Sequence, residues 1–200
     1  MILSDRELEL ALNRSQFFLT PRPDPVAFAP TAINLRLGSE VNIWDESTLK
    51  GNASLGNKEP CFCPSVSGFN VREVINSHTT IHDLTKSPYR LCKGGFLLAW
   101  TLERLRIPHS SRLAARVEGK SSLARLGLGI HVTAPTIHAG FGVGQNADGD
   151  SLQLEIWNVG PLPIELTTGM RICQLIFEEV HGTPNQGYQG QFLGQGPTKS

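Results

Sequence analysis

The chain has 200 residues, 40% of them hydrophobic, which suits one compact domain with a real core better than two. Lysine plus arginine and aspartate plus glutamate each number 18, so the formal charge is zero and no diffuse basic face is available for a nucleic acid polymer. No run approaches the about 18 apolar residues of a membrane span, and the first residues carry acids where a signal core would be apolar, so a cytoplasmic protein is expected.

In chain order, residues 3–14 set Leu3, Leu8, Leu10 and Leu12 among charges. Ser4 and Glu7 have capping-box spacing, which predicts a short amphipathic helix. Four prolines between Pro21 and Pro30 interrupt regular structure. Ala32–Leu37 then alternates apolar with polar, reading as a strand that stops at a turn glycine, Gly38. Residues 45–88 are polar and weakly periodic, and read as long loops around one short helix or strand. Strands are predicted at Phe96–Leu102, Leu113–Val117, Ile130–Thr133, Leu152–Trp157, Ile164–Leu166 and Ile172–Phe177, each bounded by Gly, Pro, Asn or Asp. Many short strands and few helices mean an all-β sandwich or barrel. Residues 182–200 hold five of the twenty glycines, with Gln186, Gln189 and Gln191 around Tyr188, and read as a mobile tail beyond a single domain of residues 1–181.

Two segments can carry chemistry. Gly119-Lys120-Ser121-Ser122-Leu123-Ala124-Arg125 brings two cations and two hydroxyls to one turn, where backbone amides can join them in holding phosphate oxygens. It lacks Walker spacing, and by local chemistry alone it is equally a polar turn entering a helix. In the second segment, Gln153, Glu155 and Trp157 alternate with Leu152, Leu154 and Ile156, so Glu155 alone reads as a solvent-facing strand carboxylate.

The motifs Val117-Glu118-Gly119-Lys120-Ser121-Ser122-Leu123-Ala124-Arg125-Leu126-Gly127-Leu128, His131-Val132-Thr133-Ala134, Ala139-Gly140-Phe141, Leu154-Glu155 with Asn158, Pro163-Ile164 and Gly169-Met170 closely resemble those of the dCTP deaminases. Ile2-Leu3-Ser4-Asp5, Asn34-Leu35-Arg36-Leu37-Gly38, Gln174-Leu175-Ile176-Phe177 and Tyr188-Gln189-Gly190-Gln191 extend the likeness across nearly the whole chain. The resemblance implies a distorted β-barrel or jelly-roll of the dUTPase-like type. It also implies a homotrimer with active sites between subunits, and a nucleotide triphosphate that arrives with Mg²⁺. By matching position, Lys120 and Ser122 hold phosphate, and Glu155 takes a proton from the water that attacks C4 of cytosine. Ser121, Arg125 and the main chain of Ala134 orient that water and steady the developing charge. His138, Gln153, Gln174, Tyr188 and Gln191 complete the substrate-binding set, and the tail closes over bound nucleotide.

The sequence departs from the family pattern in several places. Lys120 stands where arginine is more usual, keeping the charge without the bidentate fork. His138 replaces an aspartate that in relatives holds the sugar 3′-hydroxyl or, in dUTPases, helps activate water. Asn34 stands where relatives often have aspartate, and Gly187 where lysine is common. Residues 142–151 form a longer turn than many relatives have, and its Asp148 and Asp150 read as solvated turn residues rather than metal ligands.

The four cysteines, Cys61, Cys63, Cys92 and Cys173, are too few for a disulfide framework and suit a reducing compartment. Cys61-x-Cys63 with His78-x3-His82 is only loosely like a zinc set, and the H-x-E with P-C-x-x-C signature of zinc deaminases is absent. Zinc-free hydrolysis of dCTP to dUTP and ammonia is therefore the expected activity. The alternatives are cleavage of dUTP to dUMP and pyrophosphate, alone or in addition, and a nucleotide-responsive interaction protein without turnover.

Overall fold

The computed structural model describes residues 1–51, 61–130, 134–144, 146–189 and 196. Helix α1 (Asp5–Asn13) follows Ser4, whose backbone N–H donates to the Glu7 carboxylate at 2.9 Å, as the capping-box spacing predicts. Leu8, Ala11 and Leu12 form its buried face. The elements after it are β1 (Phe18–Thr20), β2 (Phe28–Ala29), β3 (Ala32–Trp44), α2 (Glu46–Gly51), α3 (Val71–His78), β4 (Thr79–Asp83), β5 (Tyr89–Leu91) and β6 (Phe96–Arg106). They continue as β7 (Leu113–Gly119), α4 (Ser121–Ala124), β8 (Leu128–Ile130), β9 (Thr136–Ile137), β10 (Asp150–Asn158), β11 (Ile164–Leu166) and β12 (Arg171–Glu179).

Ten strands form one sheet, with the path β8-β10-β6-β3-β12-β7-β9 and with β1 added on β6 and β2 and β4 on β3; β11 and β5 make a separate pair. All pairings are antiparallel. Strand β3 joins the two halves: residues 33–36 pair with β12, whereas Leu37 and residues 41–43 pair with β6. A register shift between Leu37 and Val41 turns the strand from one partner to the other, and the sheet curls into a distorted half-barrel. Its inside is one apolar cluster that includes Leu8, Phe17, Ile33, Leu97, Leu154 and Phe177, with Phe17 and Phe177 stacked at 4.1 Å.

Gly38 departs from the turn expected at that position. It lies within β3, where a Cβ would come 3.0 Å from the Trp100 carbonyl oxygen, so the residue is small because two strands cross closely there. Residues 45–88 also hold more than one element. Asn70 caps α3 by accepting from the N–H groups of Arg72 and Glu73 at 3.0 and 3.4 Å, and β4 pairs with β3 from Asp83 to Thr79. Val71, Val74 and Ile75 do have helical spacing, but α3 is short and buries no residue fully, and β4 is recognisable only through its pairing with β3. The other predicted strands are present and mostly longer, while residues 131–133 of the Ile130–Thr133 strand lie outside the described residues.

Asn158 ends β10 as a joint. Its amide nitrogen donates to the carbonyls of Leu91 and Leu162 at 3.0 and 2.9 Å, and its oxygen accepts from the Gly160 N–H at 2.8 Å. A fully buried asparagine is tolerated because all three contacts are satisfied. Asp150 opens the same strand at 4% exposure, which corrects its expected place in a solvated turn.

Candidate active site

Two cavities collect the residues expected to act. The first, of about 470 Å³, lies at the turn between β7 and β8, and Lys120, Ser121, Ser122 and Gln174 line it together with Glu118 and Gly129. β7 ends at Gly119, Lys120 is the N-cap of α4 with extended backbone, and Ser121 and Ser122 follow as its exposed first residues. Cation and hydroxyls therefore face one space beside a helical turn, the donor set that phosphate oxygens accept.

The floor of this cavity is built by strand register. Gln174 on β12 lies opposite Asn34 on β3 and opposite Glu118 on β7, so three polar side chains form a row across the sheet. Lys120 Nζ donates to Asn34 Oδ1, and Asn34 Nδ2 donates to the Ala27 carbonyl at 2.9 Å. Gln174 Nε2 reaches Glu118 Oε2 at 3.5 Å, while Arg116 pairs with both Glu118 and Glu178. The row holds the ammonium of Lys120 at the rim. Below it, burial pushes the Cys173 thiol far above its ordinary range, with Glu103 adding to the rise and Lys120 opposing it.

The second cavity, of about 290 Å³, contains Glu155 and Gln153 from β10, together with Ala134, His138 and Tyr188. Glu155 is half-buried on a central strand, opposite Leu98, and is the only acid among the described residues that line this space. Val117, Ile137 and Phe141 supply apolar walls. A carboxylate on a rigid strand, within apolar walls and beside a backbone turn at Ala134, is suited to take and return one proton next to a small planar ring.

The tail closes one side of this cavity. The Tyr188 N–H donates to the Ala139 carbonyl at 3.0 Å, and its ring lies at 5.8 Å from that of His138 and 6.4 Å from that of Phe141. Gly140 permits the approach. At φ +93° it has a conformation costly for other residues, and a Cβ would stand 2.4 Å from the Tyr188 nitrogen and 2.5 Å from Gly187 Cα.

In one chain the two groups of residues do not meet. The two cavities share no lining residue, although Val117 of one and Glu118 of the other are neighbours on β7. Arg125, exposed at the end of α4, lines neither, and Gln191 lies outside the described residues. Asn34, Glu118 and Phe141 were not singled out as site residues. Glu118 could have been, since it stands two residues before Lys120, whereas Asn34 enters only through strand pairing with Gln174.

The loose zinc-like set does not assemble: His78 Nδ1 is 3.2 Å from Thr48 Oγ1, and His82 Nε2 is 2.9 Å from the Ser87 carbonyl. Among the described residues no group of three or more His, Cys, Asp or Glu is placed to hold a metal, and no helix is long and apolar enough to cross a membrane.

Comparison with known proteins adds an independent line. A family model described as dCTP deaminase-like matches residues 2–180. A protein of Methanosphaera stadtmanae named "dCTP deaminase, dUMP-forming" is 30% identical over 205 residues, covering 100% of this chain and 92% of that one. A Rhodospirillum rubrum protein named "dCTP deaminase" is 31% identical over 188 residues, covering 94% and 87%. Among solved structures, 2′-deoxycytidine 5′-triphosphate deaminase from Agrobacterium tumefaciens superimposes with a TM-score of 0.62 at 22% identity, over 90% of this chain and 48% of that one. The last is a likeness of fold, and this chain spans about half the length of its counterpart.

Proposed function

Because the chain belongs to the dCTP deaminase-like family, we propose that it hydrolyses dCTP to dUTP and ammonia, with Glu155 as the base that activates water. The observation that carries this reading is that Glu155 is the one acid among the described residues around a cavity also lined by Gln153, Ala134, His138 and Tyr188. Glu155 accepts a proton as water oxygen attacks C4, and the ring nitrogen takes up the electron pair. That proton then passes to the amino group while the hydroxyl proton on C4 moves to the ring nitrogen; the C4–N bond breaks, ammonia leaves, and C4 becomes a carbonyl. A positioned base of this kind contributes about 10²- to 10⁴-fold in rate.

The triphosphate rests against Lys120, Ser121 and Ser122, with Gln174 beneath. Mg²⁺ carried by the nucleotide would offset phosphate charge at this turn. The donors at that turn are an ammonium, hydroxyls and amides rather than a carboxylate cage, so phosphate oxygens supply most of its ligands. Because the phosphate donors and Glu155 line separate cavities with no residue in common, one nucleotide uses Glu155 of one subunit and the α4 turn of another. A symmetric oligomer, a homotrimer by family likeness, follows as its working form. In that form Ser121 and Arg125 come to the reacting end from the partner.

A second reading, in which dUTP is cleaved onward to dUMP and pyrophosphate, is favoured by the dUMP-forming relative. His138, where a second carboxylate would serve that step, supports release of dUTP. The test is incubation with each deoxynucleoside triphosphate and Mg²⁺ followed by separation of products. Ammonia with dUTP supports the first reading, pyrophosphate with dUMP the second, and tight binding without product overturns both.

A further inference from the structure

Cys61 and Cys63 flank Phe62 in the exposed segment that precedes α3, away from both cavities. Their sulfurs stand 3.7 Å apart, in contact but unbonded. Residues two apart in a chain span at most ~7 Å, against the roughly 4.4–6.8 Å between Cα atoms that a disulfide needs, so a small turn of both side chains closes the gap. The ring of Phe62 packs against Trp44 at the end of β3, with centroids 5.8 Å apart and planes inclined at 52°. Val66 N–H donates to the Cys63 carbonyl at 3.1 Å, beginning a turn immediately after the pair. One anchor on the middle residue and another just beyond hold two exposed thiols side by side on the outside.

We propose that Cys61 and Cys63 form a thiol–disulfide exchange site that takes a low-molecular-weight disulfide as its oxidant. The hydrogen bond to Cys61, and then repulsion from it once charged, raises the Cys63 thiol above its ordinary range, so the two sulfurs act as a pair. The Cys61 thiolate attacks one sulfur of R–S–S–R, forming a mixed disulfide and expelling R–S⁻, which takes up a proton. Cys63 then loses its proton and attacks the Cys61 sulfur, expelling the second R–S⁻. Two protein thiols are oxidised by two electrons, one disulfide is reduced to two R–SH, and the Cys61–Cys63 bond forms. A bond exposed in so short a loop is readily reduced again, which suits a reversible modification rather than a structural bridge.

Cys92 supplies an internal control, because it is exposed and has no second sulfur beside it among the described residues. The full-length protein is incubated with oxidised glutathione and mapped by peptide mass without reduction. The expected result is loss of two hydrogens from the peptide holding Cys61 and Cys63, a glutathione adduct on Cys92, and recovery of all three thiols with dithiothreitol. Cys63→Ser and Cys61→Ser should each keep a stable glutathione adduct on the cysteine that remains, because neither has a second sulfur to displace it. Stable adducts on both native cysteines, or cross-linked dimers through them, would overturn the proposal.

Discussion

The ring of Tyr188 lies almost parallel to that of His138, 11° between planes and 5.8 Å between centroids, so the tail is packed against the wall of the Glu155 cavity in the isolated chain. Where relatives place an aspartate, this chain has a flat ring on which another flat ring rests. The contact joins a departure from the family pattern to the segment expected to close the site.

Tyr188→Ala should therefore weaken substrate closure without unfolding the barrel. An aromatic pair contributes about 0.5–1.5 kcal/mol beyond area burial, so KM for dCTP should rise roughly two- to twelvefold while the thermal midpoint stays put. Steady-state kinetics beside a melting curve check this. An unchanged KM would mean that the tail contact does not bear on substrate.

Lys120→Ala removes the ammonium that Asn34 holds at the rim of the α4 turn. A charge-assisted hydrogen bond contributes about 1.5–3 kcal/mol, so KM for dCTP should rise roughly tenfold to a hundredfold. Turnover of the unphosphorylated nucleoside should not change, because it has nothing for Lys120 to hold. Equal losses on nucleoside and triphosphate would place Lys120 elsewhere in the reaction.

Glu103, 3% exposed, accepts from the Arg36 backbone N–H at 2.8 Å and from its Nε at 2.7 Å, tying β6 to β3 beside the crossing at Gly38. Glu103→Ala leaves that N–H and the guanidinium without their acceptor, a loss of about 3 kcal/mol for a pair of this kind. The urea midpoint should fall clearly below the native one. An unchanged midpoint would show that water replaces the carboxylate at no cost.

Much of this architecture was legible because strands with one buried face print their alternation in the chain. β7 and β10 show it, β6 reads instead as a continuous apolar run, and Ser4 with Glu7 announced α1. What stayed hidden depends on contacts distant in sequence. Gly38 read as a turn because its reason for being small, the Trp100 carbonyl, belongs to another strand. Strands β1, β2, β5 and β9 have only two or three residues and exist through their pairing partners. Lys120, Ser121, Ser122 and Glu155, which line the two cavities, carry motif signals, whereas Asn34 entered through the row it forms with Gln174 and Glu118. The separation of the two cavities left no trace in local pattern, since it depends on how β7, β10 and β12 lie once the sheet has curled.

Of the four cysteines, three are exposed and Cys173 is fully buried with its thiol proton held tightly. An aromatic disulfide reagent at mildly alkaline pH should consume the exposed thiols quickly and reach Cys173 only when denaturant is added. Prompt reaction at Cys173 in the native protein would mean that β12 opens beside the cavity lined by Lys120.

The most direct measurement compares the native protein with Glu155→Gln, recording dCTP affinity by calorimetry and ammonia release in the same buffer. The amide keeps the shape of the side chain but cannot accept the proton from water. Affinity should stay within a few-fold while turnover falls by about 10³-fold. Turnover close to native in the variant would contradict Glu155 as the base.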